Sequence, residues 1–173
     1  MRYILFDRDG TLIRDPEDER VESVDDVELF PDTIESMKRL AEAGYGIVLI
    51  TNQAGIAESK ITEAEFDEIN DHFIRLLEPT GVVVATTYMC PHGPDDDCFC
   101  RKPEPKMLLQ AIEDFEIDSE QTFYIGDRHS DILAGQSAGV RTILVETANE
   151  PQEAPEADFI AKSLTEVVDI VLK

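Results

Sequence analysis

Two aspartates, Asp7 and Asp9, stand one residue apart directly behind a short apolar run at residues 3–6, and Gly10 follows them. A buried parallel strand that ends in this way directs both carboxylates to the carboxyl edge of its sheet. Ligands of open α/β folds bind at that edge. The spacing therefore predicts a reaction centre at the end of the first strand.

Two further apolar runs, residues 47–50 and 123–125, also end in polar side chains. In a doubly wound sheet these strand ends converge on one crevice. Aspartates crowded there would repel one another unless a cation lay among them, and oxygen ligands favour a hard ion such as Mg²⁺. A bound Mg²⁺ in turn indicates a phosphate in the substrate. The polar residues behind the two runs are Thr51, Asn52 and Gln53, and Asp127 and Asp131.

Lys102 supplies the positive charge that such a site needs, because its ammonium group can hold a phosphoryl oxygen. Asp7 is expected to attack phosphorus as the nucleophile, which gives an aspartyl-phosphate and divides the hydrolysis into two displacements. Asp9 is expected to protonate the leaving oxygen and then to activate water. These four residues together predict hydrolysis of a phosphate monoester, with Thr51 orienting the transferred group.

Other residues near these motifs are expected to contact the substrate rather than to react with it. Backbone N–H groups after Asp9 would orient the phosphoryl group. Arginines beside the motifs either contact a second phosphate or sugar hydroxyls, or only offset the neighbouring acids, and for Arg8 and Arg128 both interpretations stay open. The expected substrate-binding residues are Gly10, Thr11, Asn52, Gln53, Arg101 and Arg128.

All three cysteines lie close together, in the pattern C-x-H-x5-C-x-C formed by Cys90, His92, Cys98 and Cys100. Three thiols and one imidazole make a complete tetrahedral zinc set, and a closed set of this kind has a structural role. Free thiols are the alternative. Residues 90–100, the zinc loop, end two residues before Lys102. Zinc should therefore fix the position of that lysine.

Apolar runs alternate with segments of helical period, a pattern typical of a parallel sheet with helices on both faces. We predict one α/β domain, residues 1–173, with a Rossmann-like doubly wound sheet. No insertion is long enough for a cap domain, so loops 14–29 and 53–61 and the zinc loop should grip the substrate. The predicted strands are 2–6, 46–50, 82–88, 122–125, 141–145 and the short element 159–160; the predicted helices are 32–43, 62–78, 104–115, 130–138 and 163–172, with a loop at 147–158.

The 173 residues, 42% of them hydrophobic, suffice for one buried core. Acids outnumber bases by 38 to 15, and the resulting net charge of −23 repels nucleic acids and anionic membranes. No apolar stretch approaches the ~20 residues of a membrane helix, and the first residues lack a signal-peptide layout. We expect a cytoplasmic monomer. The acidic surface suits either ordinary solvation or adaptation to high salt.

Four motifs in order resemble those of the haloacid dehalogenase superfamily of phosphatases. They are residues 7–11 (DRDGT), Thr51, Lys102 and residues 126–131 (GDRHSD). The resemblance covers about residues 3–145 and implies a haloacid dehalogenase-like core. It also implies that Asp7 and Asp127 bind Mg²⁺ through their side chains and Asp9 through its carbonyl oxygen. Asp131 would then support the other ligands.

The zinc loop makes the chain similar to a capless branch that contains heptose bisphosphate phosphatases and histidinol-phosphate phosphatases. Residues 51–57 and 101–108 favour the heptose group, whereas the five-residue spacing in the zinc loop also suits the histidinol group, and Glu58-Ser59-Lys60 departs from the usual Arg-Gly. This resemblance implies a small phosphorylated sugar or polyol as substrate.

Functions of other kinds are less compatible with the sequence. A related mutase would need a cap domain, and a DNA-end phosphatase would need a basic groove. A catalytically silent zinc-stabilised binding or signalling module is the alternative of another class, but Asp7 and Asp9 are both retained.

Overall fold

The computed structural model describes residues 1–16, 20–147 and 152–173. Its strands are β1 (Arg2–Phe6), β2 (Tyr45–Asn52), β3 (Val83–Cys90), β4 (Phe123–Gly126), β5 (Arg141–Val145) and β6 (Phe159–Ala161). They form one six-stranded sheet in the order β3-β2-β1-β4-β5-β6, and all five pairings are parallel. The α-helices are α1 (Thr33–Glu42), α2 (Ala54–Ala57), α3 (Glu63–Leu77), α4 (Lys106–Asp114), α5 (His129–Ser137) and α6 (Leu164–Val171), and two single 3₁₀ turns span Val24–Asp26 and Glu78–Thr80.

Successive side chains of β1 point to opposite faces of the sheet, as strand geometry requires. Ile4 and Phe6 belong to a core that also contains residues of α1, α3 and α6. Leu5 belongs to a second core with residues of α4 and α5. Helices therefore cover both faces, and the predicted doubly wound sheet without a large cap domain is confirmed.

Helix α3 begins where its capping residues predict. The backbone N–H of Glu65 donates to Thr62 Oγ1 at 3.2 Å, and the N–H of Thr62 donates to Glu65 Oε2 at 2.7 Å. This reciprocal pair satisfies two backbone donors at the start of the helix. With 15 residues, α3 is the longest described helix, and no helix within the described ranges has the length and apolar character needed to cross a bilayer.

Strands β2 and β3 are longer than predicted. Thr51 and Asn52 continue the ladder of β2 and pair with Met89 and Cys90 of β3. The zinc loop therefore leaves the sheet from the last pair of this ladder. The single-turn helix α2 was also not predicted. The predicted loops 14–29 and 147–158 include residues 17–19 and 148–151, which lie outside the described residues.

Candidate active site

A cleft of about 630 Å³ opens at the carboxyl edge of the sheet, where β1, β2 and β4 end. Most residues expected to react with the substrate or to bind it line this cleft. The sequence could place most of them there because they follow, or end, an apolar strand, whereas Arg101 and Lys102 come directly after the zinc loop. The predicted residues on the cleft wall are Asp7, Asp9, Thr51, Asn52, Gln53, Arg101, Lys102, Arg128 and Asp131.

The ammonium group of Lys102 lies at the floor of the cleft between two aspartates. Its Nζ is 2.7 Å from Asp7 Oδ1 and 2.6 Å from Asp131 Oδ1. It also donates to the carbonyl of Ile50 at 3.0 Å and to the hydroxyl of Tyr124 at 2.9 Å. The lysine is only 5% exposed, so its charge acts where water is largely excluded.

The charges of this group shift its pKa values in ways that fit the geometry. Burial raises the pKa of Asp7 to about 7, against the lowering effect of Lys102, and the negative charges of Asp131 and Asp9 add to the rise. Burial disfavours the ammonium form of Lys102, but Asp131 and Asp7 together outweigh this and raise its pKa above its usual value. The lysine therefore stays charged. The negative charge of Asp7 is less fully compensated, because the single ammonium group of Lys102 lies between the carboxylates of Asp7 and Asp131.

Three carboxylates, those of Asp7, Asp127 and Asp131, offer oxygens within 4.8 Å of one another. Both oxygens of Asp131 already accept hydrogen bonds. Asp127 Oδ1 accepts one from Thr11 at 3.1 Å, whereas its buried Oδ2 has no hydrogen-bond donor among the described residues, and Arg128 Nε lies 3.8 Å away. Burial and the charges of Asp7 and Asp131 raise the pKa of Asp127 well above its usual value. Such an oxygen fits a ligand for a hard cation.

Gly10 and Thr11 are not among the residues that line the cleft, and their expected contact with the substrate stays a prediction. The N–H of Gly10 donates to the carbonyl of Ile13 at 2.8 Å, and the N–H of Thr11 approaches the carbonyl of Arg8 at 3.3 Å. These amides close the turn. Gly10 has φ +79°, and a Cβ there would lie 2.4 Å from Asp127 Oδ2. Both residues therefore shape the carboxylate cluster from behind.

Asp9 is held by donors on two sides. Arg8 donates to it through Nε at 2.9 Å and Nη2 at 3.1 Å, and Gln53 Nε2 donates at 2.6 Å. Arg8 is fully buried, with its guanidinium over the ring of Phe66 and a hydrogen bond to Asn70. It offsets a neighbouring acid and is not among the residues that line the cleft. Phe66 and Asn70 lie in α3 and were not predicted as part of the site, because buried positions of a helix have the pattern of ordinary core residues.

Asn52 contacts Lys102 and not only the cleft. Its side-chain amide donates to the carbonyl of Lys102 at 3.2 Å and accepts from the N–H of Lys102 at 3.0 Å. Gln53 Nε2 donates to Thr51 Oγ1 at 2.8 Å. The polar end of β2 thus orders the cleft wall from within.

The four predicted zinc ligands come together. Cys90 Sγ lies 2.9 Å from Cys100 Sγ, 3.9 Å from Cys98 Sγ and 3.5 Å from His92 Nδ1. Tetrahedral Zn–S bonds of about 2.3 Å would separate two sulfur atoms by about 3.8 Å, so the cluster is compact enough to surround one ion. Burial, followed by the hydrogen bond with Cys100, raises the pKa of the Cys90 thiol to about 12. A thiol that resists ionisation in this way needs a cation to become a thiolate.

Cationic side chains occupy the mouth of the cleft. Arg101 donates to the carbonyl of His92 at 3.0 Å, which ties it to the zinc loop. Arg20, which was not predicted as a site residue, makes a two-bond ion pair with Glu58 from the opposite loop. Arg128 pairs with Asp15 at 3.3 Å. Among the described residues, three arginines therefore line the cleft together with Lys102, although seven acidic side chains line it as well.

Comparison with known proteins agrees with this geometry. Residues 99–167 match the model of the HAD-hydrolase-like family. The chain is 37% identical to the D-glycero-beta-D-manno-heptose-1,7-bisphosphate 7-phosphatase of Haemophilus ducreyi, over 98% of each chain. It is 32% identical to the D-glycero-alpha-D-manno-heptose-1,7-bisphosphate 7-phosphatase of Photorhabdus laumondii, over 99% of this chain and 97% of that protein.

A crystal structure has nearly the same fold. The D,D-heptose 1,7-bisphosphate phosphatase of B. bronchiseptica, complexed with magnesium and phosphate, superposes with a TM-score of 0.89 at 33% identity, covering 99% of this chain and 98% of that one. The chain therefore belongs to the haloacid dehalogenase superfamily, and it is a phosphoric monoester hydrolase. Within the superfamily it is similar to the heptose bisphosphate phosphatases along nearly its whole length, as residues 51–57 and 101–108 predicted.

Proposed function

We propose that the chain is a Mg²⁺-dependent phosphatase that removes the 7-phosphate of a D-glycero-D-manno-heptose 1,7-bisphosphate. The observation that carries this proposal is the position of Lys102, between Asp7 and Asp131 and on the floor of a cleft that three arginines also line. The names of the similar proteins support the substrate, and they include both anomers. The predicted monomeric state and cytoplasmic location stay predictions.

Asp7 acts as the nucleophile in this proposal. One oxygen of Asp7 attacks phosphorus, the bond from phosphorus to the sugar oxygen breaks, and an aspartyl-phosphate forms. Asp9 gives its proton to the departing sugar oxygen. Asp9 then takes a proton from a water molecule that attacks the aspartyl-phosphate, which releases inorganic phosphate and restores Asp7. Lys102 holds a phosphoryl oxygen throughout, and Thr51 orients the group.

Mg²⁺ would be held by the carboxylates of Asp7 and Asp127, whose oxygens lie close together, and, as the resemblance implies, by the carbonyl of Asp9. When bound, the ion neutralises charge on the phosphoryl group. Asp131 is a supporting residue, because both of its oxygens already accept hydrogen bonds from Tyr124 and from the N–H of Arg128.

Zn²⁺ is proposed to bind Cys90, His92, Cys98 and Cys100 as a structural ion. This role follows from the closed set of four ligands, which leaves no position for a substrate. The zinc loop then holds Arg101 through the carbonyl of His92. Arg101, Arg128 and Arg20 are proposed to recognise the second phosphate and the sugar.

Release of phosphate from p-nitrophenyl phosphate with Mg²⁺ tests the chemistry. Asp7→Asn should abolish turnover, whereas Asp71→Asn, which removes an exposed carboxylate from α3, should leave it unchanged. A wild-type protein as inactive as Asp7→Asn across a panel of sugar phosphates would favour the silent binding module instead.

The substrate is tested by a comparison of kcat/KM for the two heptose 1,7-bisphosphate anomers and for histidinol phosphate. We expect a clear preference for a heptose bisphosphate, with only the 7-phosphate released. A preference for histidinol phosphate would contradict the proposed substrate without affecting the chemistry.

A further inference from the structure

The buried hydroxyl of Tyr124 contacts both partners of the central ion pair, yet no step described above uses it. Tyr124 lies in β4 and is fully buried. Its hydroxyl lies 2.9 Å from Lys102 Nζ and donates to Asp131 Oδ1 at 2.9 Å. Burial and the surrounding aspartates raise the pKa of this phenol well above its usual value, so the hydroxyl keeps its proton.

The number of protons available to Lys102 gives this contact its significance. An ammonium group has three N–H donors, whereas Lys102 Nζ has four oxygens within 3.0 Å: Asp131 Oδ1, Asp7 Oδ1, the hydroxyl of Tyr124 and the carbonyl of Ile50. Asp131 Oδ1 lies nearest, at 2.6 Å, and it also accepts a hydrogen bond from Tyr124 at 2.9 Å. A phenol can accept one hydrogen bond and donate another. Tyr124 thus gives Asp131 a second donor, which lessens its competition with Asp7 for the protons of the lysine.

Removal of the Tyr124 hydroxyl would change how the Lys102 ammonium divides its hydrogen bonds between Asp7 and Asp131. Asp131 is 1% exposed, so a carboxylate oxygen that loses one of its donors there cannot replace it with bulk water. The donor that remains is Lys102, 2.6 Å away, and its ammonium would then shift from Asp7 towards Asp131. On this basis we propose that Tyr124 is a positioning residue that keeps the Lys102 ammonium directed at Asp7 and at the phosphoryl group it receives. This inference rests on the proposed phosphatase chemistry.

Packing fixes the tyrosine ring independently of its hydroxyl. The ring belongs to the core on the α4 and α5 face, together with Leu5 and Val48. Helix α5 approaches closely at Gly135, where an added Cβ would lie 3.3 Å from Tyr124 Cδ1. A phenylalanine in place of Tyr124 therefore keeps the ring in position and removes only the hydroxyl.

The test compares Tyr124→Phe with Tyr88→Phe. Tyr88 is a matched control, because its hydroxyl also donates to an aspartate, Asp114, but lies outside the cleft. With p-nitrophenyl phosphate and Mg²⁺, we expect Tyr124→Phe to lower kcat by about 10- to 100-fold, as for a small displacement of a catalytic group. KM should change less than about twofold, because ground-state binding is kept. Inhibition by vanadate, which mimics the five-coordinate phosphoryl group, should weaken along with kcat, whereas Tyr88→Phe should match the wild type.

Two results would overturn the inference. One is wild-type kcat and wild-type vanadate affinity in Tyr124→Phe. The other is a loss of activity that follows only the unfolded fraction in thermal unfolding and disappears at low temperature, because that loss would show a purely structural role. A wild-type enzyme without activity on any phosphate ester would refute the proposed function itself, and with it this role for Tyr124, so the two failures are distinguishable.

Discussion

Asn52 and Lys102 are joined through both ends of one side-chain amide. The Asn52 amide donates to the carbonyl of Lys102 and accepts from its N–H, at 3.2 and 3.0 Å. The side chain therefore imitates one rung of a β-ladder, and it fixes the main chain of the lysine against the end of β2. The ammonium is then placed from two directions, by this clamp and by the oxygens around Nζ.

Asn52→Ala should lower kcat by about 10- to 100-fold, since both bonds to the main chain of Lys102 are lost and a displacement of about 1 Å is enough for such an effect. Steady-state kinetics with p-nitrophenyl phosphate measure it. Asp32→Ala is a suitable control, because Asp32 also bonds a distant backbone N–H, that of Thr165, but far from the cleft. Equal activity in the two variants would refute this role of the Asn52 side chain in positioning Lys102.

Cys98→Ser should remove zinc, lower the melting temperature and reduce activity, because the zinc loop leads directly into Arg101 and Lys102. Metal analysis should find about one zinc per chain in the wild type and much less in the variant. Phe99→Ala changes an adjacent residue that is 76% exposed and is not a ligand, so its zinc content should stay at the wild-type level. Full activity in a zinc-free variant would disprove the structural role.

The stability of the metal-free protein should fall as pH rises from about 4 to about 7. The pKa of Asp7 is raised to about 7 by burial, whereas an unfolded aspartate titrates near 3.9. The folded state therefore binds more protons in this window, and its extra stability is present below pH about 4 and lost as pH passes the folded pKa.

Thermal unfolding at several pH values, in buffer without magnesium, measures this effect. Asp7→Asn should flatten the dependence on pH, and Asp71→Asn should not. Added Mg²⁺ should stabilise the wild type more at pH 8 than at pH 5, because the ion and the proton compete for the same carboxylates. A wild type whose melting temperature rose with pH in this window would contradict the prediction.

Gly126→Ala should damage both the fold and the activity. An added Cβ would lie 2.4 Å from the Cβ, Cγ and Oδ2 atoms of Asp131, and such overpacking typically costs about 1–3 kcal/mol. Asp131 would have to move away from Lys102. Gly55→Ala serves as the control for stability, since its nearest neighbours would be 3.7 Å away. Chemical denaturation compares the two, and equal stabilities would show that β4 can give way at Gly126.

The fold and the composition of the cleft could be predicted because their causes are local. Apolar runs of strand length place whatever follows them at one edge of a parallel sheet, which is why Asp7, Thr51 and Asp127 come together. The zinc ligands lie within eleven residues, so their meeting needs little from the rest of the fold. The capping pair Thr62 and Glu65 set the start of α3 for the same reason.

The contacts that were not predicted are set by how deeply a side chain is buried, which the order of residues in the sequence does not indicate. Arg8 follows a strand end, where an arginine is usually exposed, but here its guanidinium turns inward onto Phe66 and Asn70 of a helix about sixty residues away. Tyr124 lies in an apolar run, and only its distance below the cleft makes its hydroxyl meet Lys102. The amides of Gly10 and Thr11 close a turn, which cannot be read from a motif, and their contact with the substrate stays a prediction.

The order of the strands has a consequence for how this enzyme can change. Asp7 directly follows β1, which pairs with β2 on one side and β4 on the other, and the N–H of Asp7 donates to the carbonyl of Ile125 in β4 at 2.8 Å. The zinc loop and Arg101 follow β3, which is an edge strand at one margin of the sheet. Substitutions at the margin that spare the zinc ligands and Lys102 would therefore change the surroundings of Arg101 while Asp7 keeps its position, so that selectivity could diverge without a change in the chemistry.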